Sequence, residues 1–175
     1  MRISWDEYFI ACLDAAALRA SCDRGKSGAI IVKDNRILAT GYVGAPSGIP
    51  SCDEVGHQLV SRCEMPFEIS QKEWSLTKEG KAKTAMPIQN FSTHCIRTVH
   101  AEQNAIINCA RNGVSTLGAT IYCTMTPCTT CAMSIIQAGI LNVVAKNNYQ
   151  KDQYTKELFN TAGINLTVLN EKELY

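Results

Sequence analysis

"GATIYCTMTPCTTCAMSIIQAGILNVVAKN", residues 118–147, writes out a strand, a helix and a second strand in one pass. The run 118–125 is rich in β-formers, Pro127–Ala138 repeats apolar residues at helical spacing, and "LNVVAKN" returns to strand character. Gly139 stands just past the helix, where a left-handed cap belongs. Two strands joined through a helix lie parallel. The pattern extends in both directions: a helix from His100 to Asn112 ended by Gly113 comes before it, and a helix at about 152–161 and the strand "NLTVLN" come after. Alternation of this kind predicts parallel neighbours with helices on both faces of a sheet.

Nearer the N-terminus, "SWDE" reads as a capping box, Ser4 with Glu7, opening a helix over about 4–20 with Tyr8, Cys12, Ala15, Ala16 and Leu18 at helical spacing. "GAIIVKDNRILATGYV", residues 28–43, is two β-rich runs around "KDN", hence an antiparallel hairpin buried on both faces. From Gly44 to Thr98 the regular pattern stops, apart from a short helix suggested in "EMPFEISQKEWSLTKEG", residues 64–80. So long an irregular stretch reads as functional or as an insertion in a single domain spanning 1–175.

Composition narrows the chemistry. The 175 residues fit one domain, and 17 basic against 16 acidic residues give a formal charge of +1. That balance offers no basic face for nucleic acid or an anionic membrane. No apolar run is long enough to span a bilayer, and "MRISWDEYFI" lacks the layout of a secretory signal, so a cytoplasmic location is expected. Nine cysteines in such a compartment point to thiol chemistry or metal rather than to a disulfide framework.

Cys128 and Cys131 form a C-x-x-C, a spacing shared by redox pairs, half zinc ribbons and incidental thiols. Their place decides between these. Thr126 as N-cap and Pro127 as first helical residue would put both sulfurs in the opening turn, where orphan N–H groups favour thiolates. His100 opens the preceding helix in the same way, so the three groups can converge on one metal. Three protein ligands leave the fourth position of a tetrahedral zinc open, the mark of a catalytic site. Glu102, two places after His100 and not needed as a ligand, is the proton shuttle that such a site requires. Taken singly, His100 would be an ordinary histidine and Glu102 a first-turn acid complementing the helix dipole. Their combination with P-C-x-x-C is the signature of zinc deaminases.

Through "GAIIVKDNRILATGYVGAPSG", "HCIRTVHAEQNAI", "TPCTTC" and "IIQAGI", the chain resembles the cytidine deaminase superfamily and, more narrowly, deoxycytidylate (dCMP) deaminases. The resemblance implies an α/β fold of three layers, α/β/α, with a five-stranded mixed sheet and helices on both faces. It implies conversion of dCMP to dUMP, supplying thymidylate synthesis, with His100, Cys128 and Cys131 holding Zn2+ and Glu102 moving protons. It further implies a hexamer activated by dCTP with Mg2+ and inhibited by dTTP.

The glycine-rich stretch "GYVGAPSG" makes Gly41, Tyr42 and Gly44 candidates for nucleotide contact, since glycine lets backbone approach a ligand closely. The family usually carries Asn where this chain has Val43, which has no hydrogen-bonding side chain. Lys26 and Arg111 are candidates for effector or subunit contacts, and Tyr149 or Tyr154 for stacking on a base. Some family members hold a second, structural zinc. Its cysteines match Cys22 and Cys52 here; His94 is the preferred third ligand, with His57 or Cys95 as the fourth, whereas Cys12, Cys109 and Cys123 fit packing positions. Two alternatives stand beside the dCMP reading: a deaminase of another cytosine or adenine substrate (dCTP, tRNA or single-stranded DNA), and a non-catalytic zinc module.

Overall fold

A computed structural model describes residues 2–63, 91–149 and 153–173; the helix expected within 64–80 lies outside them. They form two compact units, 1–56 with 97–175, and 57–96.

The larger unit opens with helix α1 (Trp5–Ala17), whose Ser4 and Glu7 form the expected capping box. Its buried face is Phe9, Leu13 and Ala17. Tyr8 and Leu18, placed on the apolar stripe by the sequence, are exposed instead: the stripe is rotated by about one residue, because Phe9 and Leu13 present more apolar surface than Cys12, Ala15 and Ala16. Strands β1 (Gly28–Lys33) and β2 (Arg36–Tyr42) follow as an antiparallel pair. Asp34 and Asn35 both take positive φ, 49° and 58°, as a two-residue hairpin turn requires. β1 is buried on both faces, but β2 is not. β2 is an edge strand, and the sequence run does not reveal which of two neighbouring strands lies outermost.

Helix α2 is a single turn, Cys52–Val55. Helix α3 (Ala101–Arg111) leads into β5 (Thr120–Met125), α4 (Thr129–Gln137), β6 (Asn142–Asn148), α5 (Gln153–Thr161) and β7 (Asn165–Glu173). The sheet order is β2-β1-β5-β6-β7, with β5, β6 and β7 parallel and β1 antiparallel to both its neighbours. This is the five-stranded mixed sheet. Both crossovers, through α4 and α5, run in the same direction along the sheet, and a fixed right hand puts both helices on the same face. There α3, α4 and α5 bury Ala105, Ile135 and Phe159 against Ile31, Ile121 and Val143. The opposite face is covered by α1, through Phe9 and Leu13 on Ile30, Val32 and Tyr122.

The smaller unit contains an antiparallel pair, β3 (Leu59–Cys63) with β4 (Phe91–Cys95), in the register Val60 to His94. Together with α2 it corrects the expectation of an irregular 44–98. The two strands are far apart in sequence and short, so no local turn announces their pairing. Among the described residues, no helix is long and apolar enough to cross a membrane.

Candidate metal centre and active site

β2 and β5 both run antiparallel to β1, so they end on the same side of the sheet. α3 follows β2 after the intervening segment, and α4 follows β5 directly. Both helices therefore begin at one edge, which is why residues 28 apart meet. His100 is the N-cap of α3 and Cys128 the N-cap of α4, with backbone angles of φ −68°, ψ 153° and φ −68°, ψ 163°. Here the structure corrects the sequence: Cys128, not Thr126, caps α4, and Pro127 precedes the helix. Thr126 turns back to the sheet, its N–H donating to Asn147 O at 3.0 Å.

Neither cap makes a side-chain hydrogen bond to its own helix. The side chains face each other instead. Cys128 Sγ lies 3.5 Å and Cys131 Sγ 3.4 Å from His100 Nδ1, and the three ligand atoms all lie within 4.8 Å of one another. A tetrahedral ion bonded to sulfur at about 2.3 Å and nitrogen at about 2.05 Å separates those two donors by about 3.6 Å. One imidazole and two sulfurs at this spacing fit zinc.

The thiols are electrostatically unequal. Cys128 is held down to about 4 by hydrogen bonds from Cys131 first and then His100, against the opposing effect of burial. Cys131, fully buried, is pushed up by its bond to Cys128 and by burial, so the pair sheds one proton readily and holds the other between the two sulfurs. Metal binding releases the remaining proton. Glu102, 8% exposed, takes the Cys131 thiol at Oε2 over 3.5 Å. Burial pushes its carboxyl above the ordinary range, so it can hold a proton beside the metal ligands without being one of them.

The backbone around the site is pinned at two places. Gly44 and Val99 exchange N–H to O bonds of 3.3 and 2.9 Å, fixing the chain one residue before His100. Asn147 organises the other side: its carbonyl accepts from Thr126, its Nδ2 donates to Thr124 O at 3.1 Å, and its Oδ1 accepts from Asn170 at 3.0 Å. Sequence reading missed Val99 and Asn147; an asparagine at the end of a strand, just ahead of a candidate stacking tyrosine, was the available signal for the second.

The remaining candidates are distributed as follows. Gly41 lies against α3, where a Cβ would come within 2.2 Å of Ala101 O and 2.4 Å of Ala105 N, so packing explains its lack of a side chain. Tyr42 ends β2 and Gly44 lies against Ser21 Oγ. The Val43 backbone is bonded on both sides, N–H to Ser27 O at 3.0 Å and O from Ser21 N–H at 3.1 Å, which holds the loop of exposed Lys26 beside residues 43–44. Arg111 ends α3, at the opposite end of the helix from His100, where a cation suits the dipole. Tyr149 directly follows β6, half-buried, and Tyr154 is 43% exposed on α5. Cys22 and Cys52 are buried; the side chain of His94 lies outside the described atoms.

Residues 3–147 match the model of the cytidine and deoxycytidylate deaminase zinc-binding region. The chain belongs to that family. It is 36% identical over 173 residues to ComE operon protein 2 of Bacillus subtilis, covering 99% of this chain and 75% of the relative. It is also 36% identical over 143 residues to the deoxycytidylate deaminase of Mycobacterium phage D29, covering 82% and 94% respectively. The crystal structure of dCMP deaminase from the cyanophage S-TIM5, in complex with dCMP and dUMP, superposes with a TM-score of 0.66 at 25% identity, over 96% of this chain and 98% of that one. As a member of this deaminase family the chain is a hydrolytic enzyme, and His100, Glu102, Cys128 and Cys131 lie within the matched residues.

Proposed function

We propose that this enzyme hydrolyses dCMP to dUMP and ammonia. The observation that carries the reading is the convergence of His100, Cys128 and Cys131 with a buried, non-ligating Glu102 alongside. The substrate rests on the relatives named deoxycytidylate deaminase and on the neighbour crystallised with dCMP and dUMP. A zinc held by the three ligands would acidify a bound water and present it to the pyrimidine. The work of the chain's own residues is then proton transfer and orientation. Glu102 takes a proton from the attacking water and delivers it to ring N3, then takes the second and delivers it to the departing amine at C4. The raised affinity of its carboxyl for protons suits both deliveries. The glycine-rich stretch 41–48, pinned beside His100 through the Gly44 and Val99 backbone bonds, would supply part of the sugar and phosphate contact, and Lys26 is proposed for an effector or subunit contact. Val43 offers only its occupied backbone, so nucleotide contact there falls to its neighbours.

Incubation of zinc-loaded protein with dCMP, dCTP, cytidine and a tRNA substrate, with ammonia release as readout, tests this. Turnover of dCMP above the others is expected, and activity on none of them overturns it. The family resemblance extends the proposal to a single catalytic domain with an insertion at about 44–98, working as a hexamer activated by dCTP with Mg2+ and inhibited by dTTP. It also extends to a second zinc at Cys22, Cys52 and His94 with His57 or Cys95. Two zinc ions per chain, falling to one in Cys52→Ala, are expected, and one per chain in the wild type would remove the second site.

A further inference from the structure

Two amides on α3 have no part in the site as described. Asn104 Nδ2 donates to Tyr42 O at 2.9 Å, and Asn108 Nδ2 donates to Thr40 O, also at 2.9 Å. Asn108 Nδ2 also comes within 3.4 Å of Asn104 Oδ1, linking the two. Between the two acceptors lies Gly41, with the α3 backbone against it at Ala101 and Ala105.

The arrangement follows from simple dimensions. β2 is an edge strand paired on one side only, so its outer carbonyls have no strand partner. Alternate carbonyls repeat about every 6.8 Å along a strand, and residues four apart on a helix repeat about every 6.0 Å. An asparagine pair at i and i+4, on a helix antiparallel to the strand, therefore matches two carbonyls at i and i+2. The amides fix α3 along its axis and about it, while the missing Cβ at 41 fixes how closely it approaches. A slip by one residue would move the helix about 1.5 Å. Displacement of a reacting group by about 1 Å can cost about a hundredfold in rate.

We propose that Asn104 and Asn108, acting through Gly41, are positioning residues: they register α3 on β2 and so place Glu102 and His100 opposite Cys128 and Cys131. Asn104 lies two residues beyond Glu102, and Asn108 lies more than a turn further from the site. The two amides therefore differ in leverage on the active site although each donates one bond of the same length to β2.

The activity part of this inference rests on the dCMP reading; the metal part does not. The test uses the zinc-loaded full chain and the variants Asn104→Ala and Asn108→Ala, measuring kcat and KM on dCMP, the rate of zinc loss to a chelator, and Tm. Expected are Tm losses of similar size, a kcat loss of about tenfold or more in Asn104→Ala with KM within about twofold, a smaller kcat loss in Asn108→Ala, and faster zinc release in Asn104→Ala. Zinc release and kcat unchanged from wild type, or falling equally in both variants in step with Tm, would show that the amides only stabilise the fold. If the wild type fails on dCMP, the substrate proposal fails, and zinc release alone still decides: faster in Asn104→Ala than in Asn108→Ala supports the lock, equal rates overturn it.

Discussion

Cys131 and Glu102 meet at 3.5 Å, thiol to carboxylate oxygen, with both side chains buried. The distance sets the carboxyl against the metal ligands while leaving it outside their number. Glu102→Gln keeps the size and removes the proton transfer. It should retain zinc at the wild-type level and lose about 10²- to 10⁴-fold in kcat. Metal analysis beside single-turnover kinetics checks this; loss of zinc together with activity would make Glu102 a ligand and refute the role assigned to it.

The cysteines should separate into two kinds. Cys131 and Cys109 are equally buried, but Cys131 lies against His100 and Cys109 packs in the core among Ala105, Ile121 and other apolar groups. Cys131→Ala should abolish tight zinc binding and turnover. Cys109→Ala should cost about 1 kcal/mol of stability and keep both. Denaturant unfolding and metal content measured on the two variants give the comparison, and zinc loss from Cys109→Ala would contradict the packing role.

Those differences mark what the sequence could and could not disclose. The capping box at Ser4 and Glu7, the turn at Asp34 and Asn35, and the caps at Gly113 and Gly139 are local, because each depends on residues within a few positions. The sequence pattern points to a start of α4 two residues too early, and the reason is physical. His100 and Cys128 occupy N-cap positions where Ser, Thr, Asp or Asn would serve the helix better, and their side chains are directed at each other instead. Function displaced the usual signal. β3 and β4, and the carbonyl contacts of Asn104 and Asn108, are non-local pairings that no short window contains.

Gly41 and Gly44 give a paired prediction. A methyl group at 41 would strike backbone, Ala101 O and Ala105 N, and neither can rotate away. At 44 the first obstacle is the Ser21 hydroxyl at 2.7 Å, which can turn. Gly41→Ala should therefore destabilise by about 1–3 kcal/mol, as overpacking does, and Gly44→Ala by clearly less. Equal losses in chemical denaturation would mean that α3 can move off β2 freely.

The last prediction concerns the opposite face of the sheet and separates its stability from the metal. Tyr122 donates its hydroxyl to Asp6 Oδ1 at 2.6 Å, tying β5 to α1. Burial, and then the bond to Asp6, push the phenol well above its ordinary value. Tyr122→Phe should cost about 1 kcal/mol at neutral pH, since one partner of the hydrogen bond is exposed. Because the folded state holds its phenolic proton more tightly than the unfolded chain, the contribution is complete below about pH 10, where an unfolded tyrosine ionises, and is lost as pH rises toward the raised value. The stability gap between wild type and Tyr122→Phe should accordingly stay constant from pH 7 to about 9.5 and narrow above about 10. Urea midpoints across that range measure it. A gap that widened with alkali would mean that the folded state favours the phenolate, which a neighbouring carboxylate opposes.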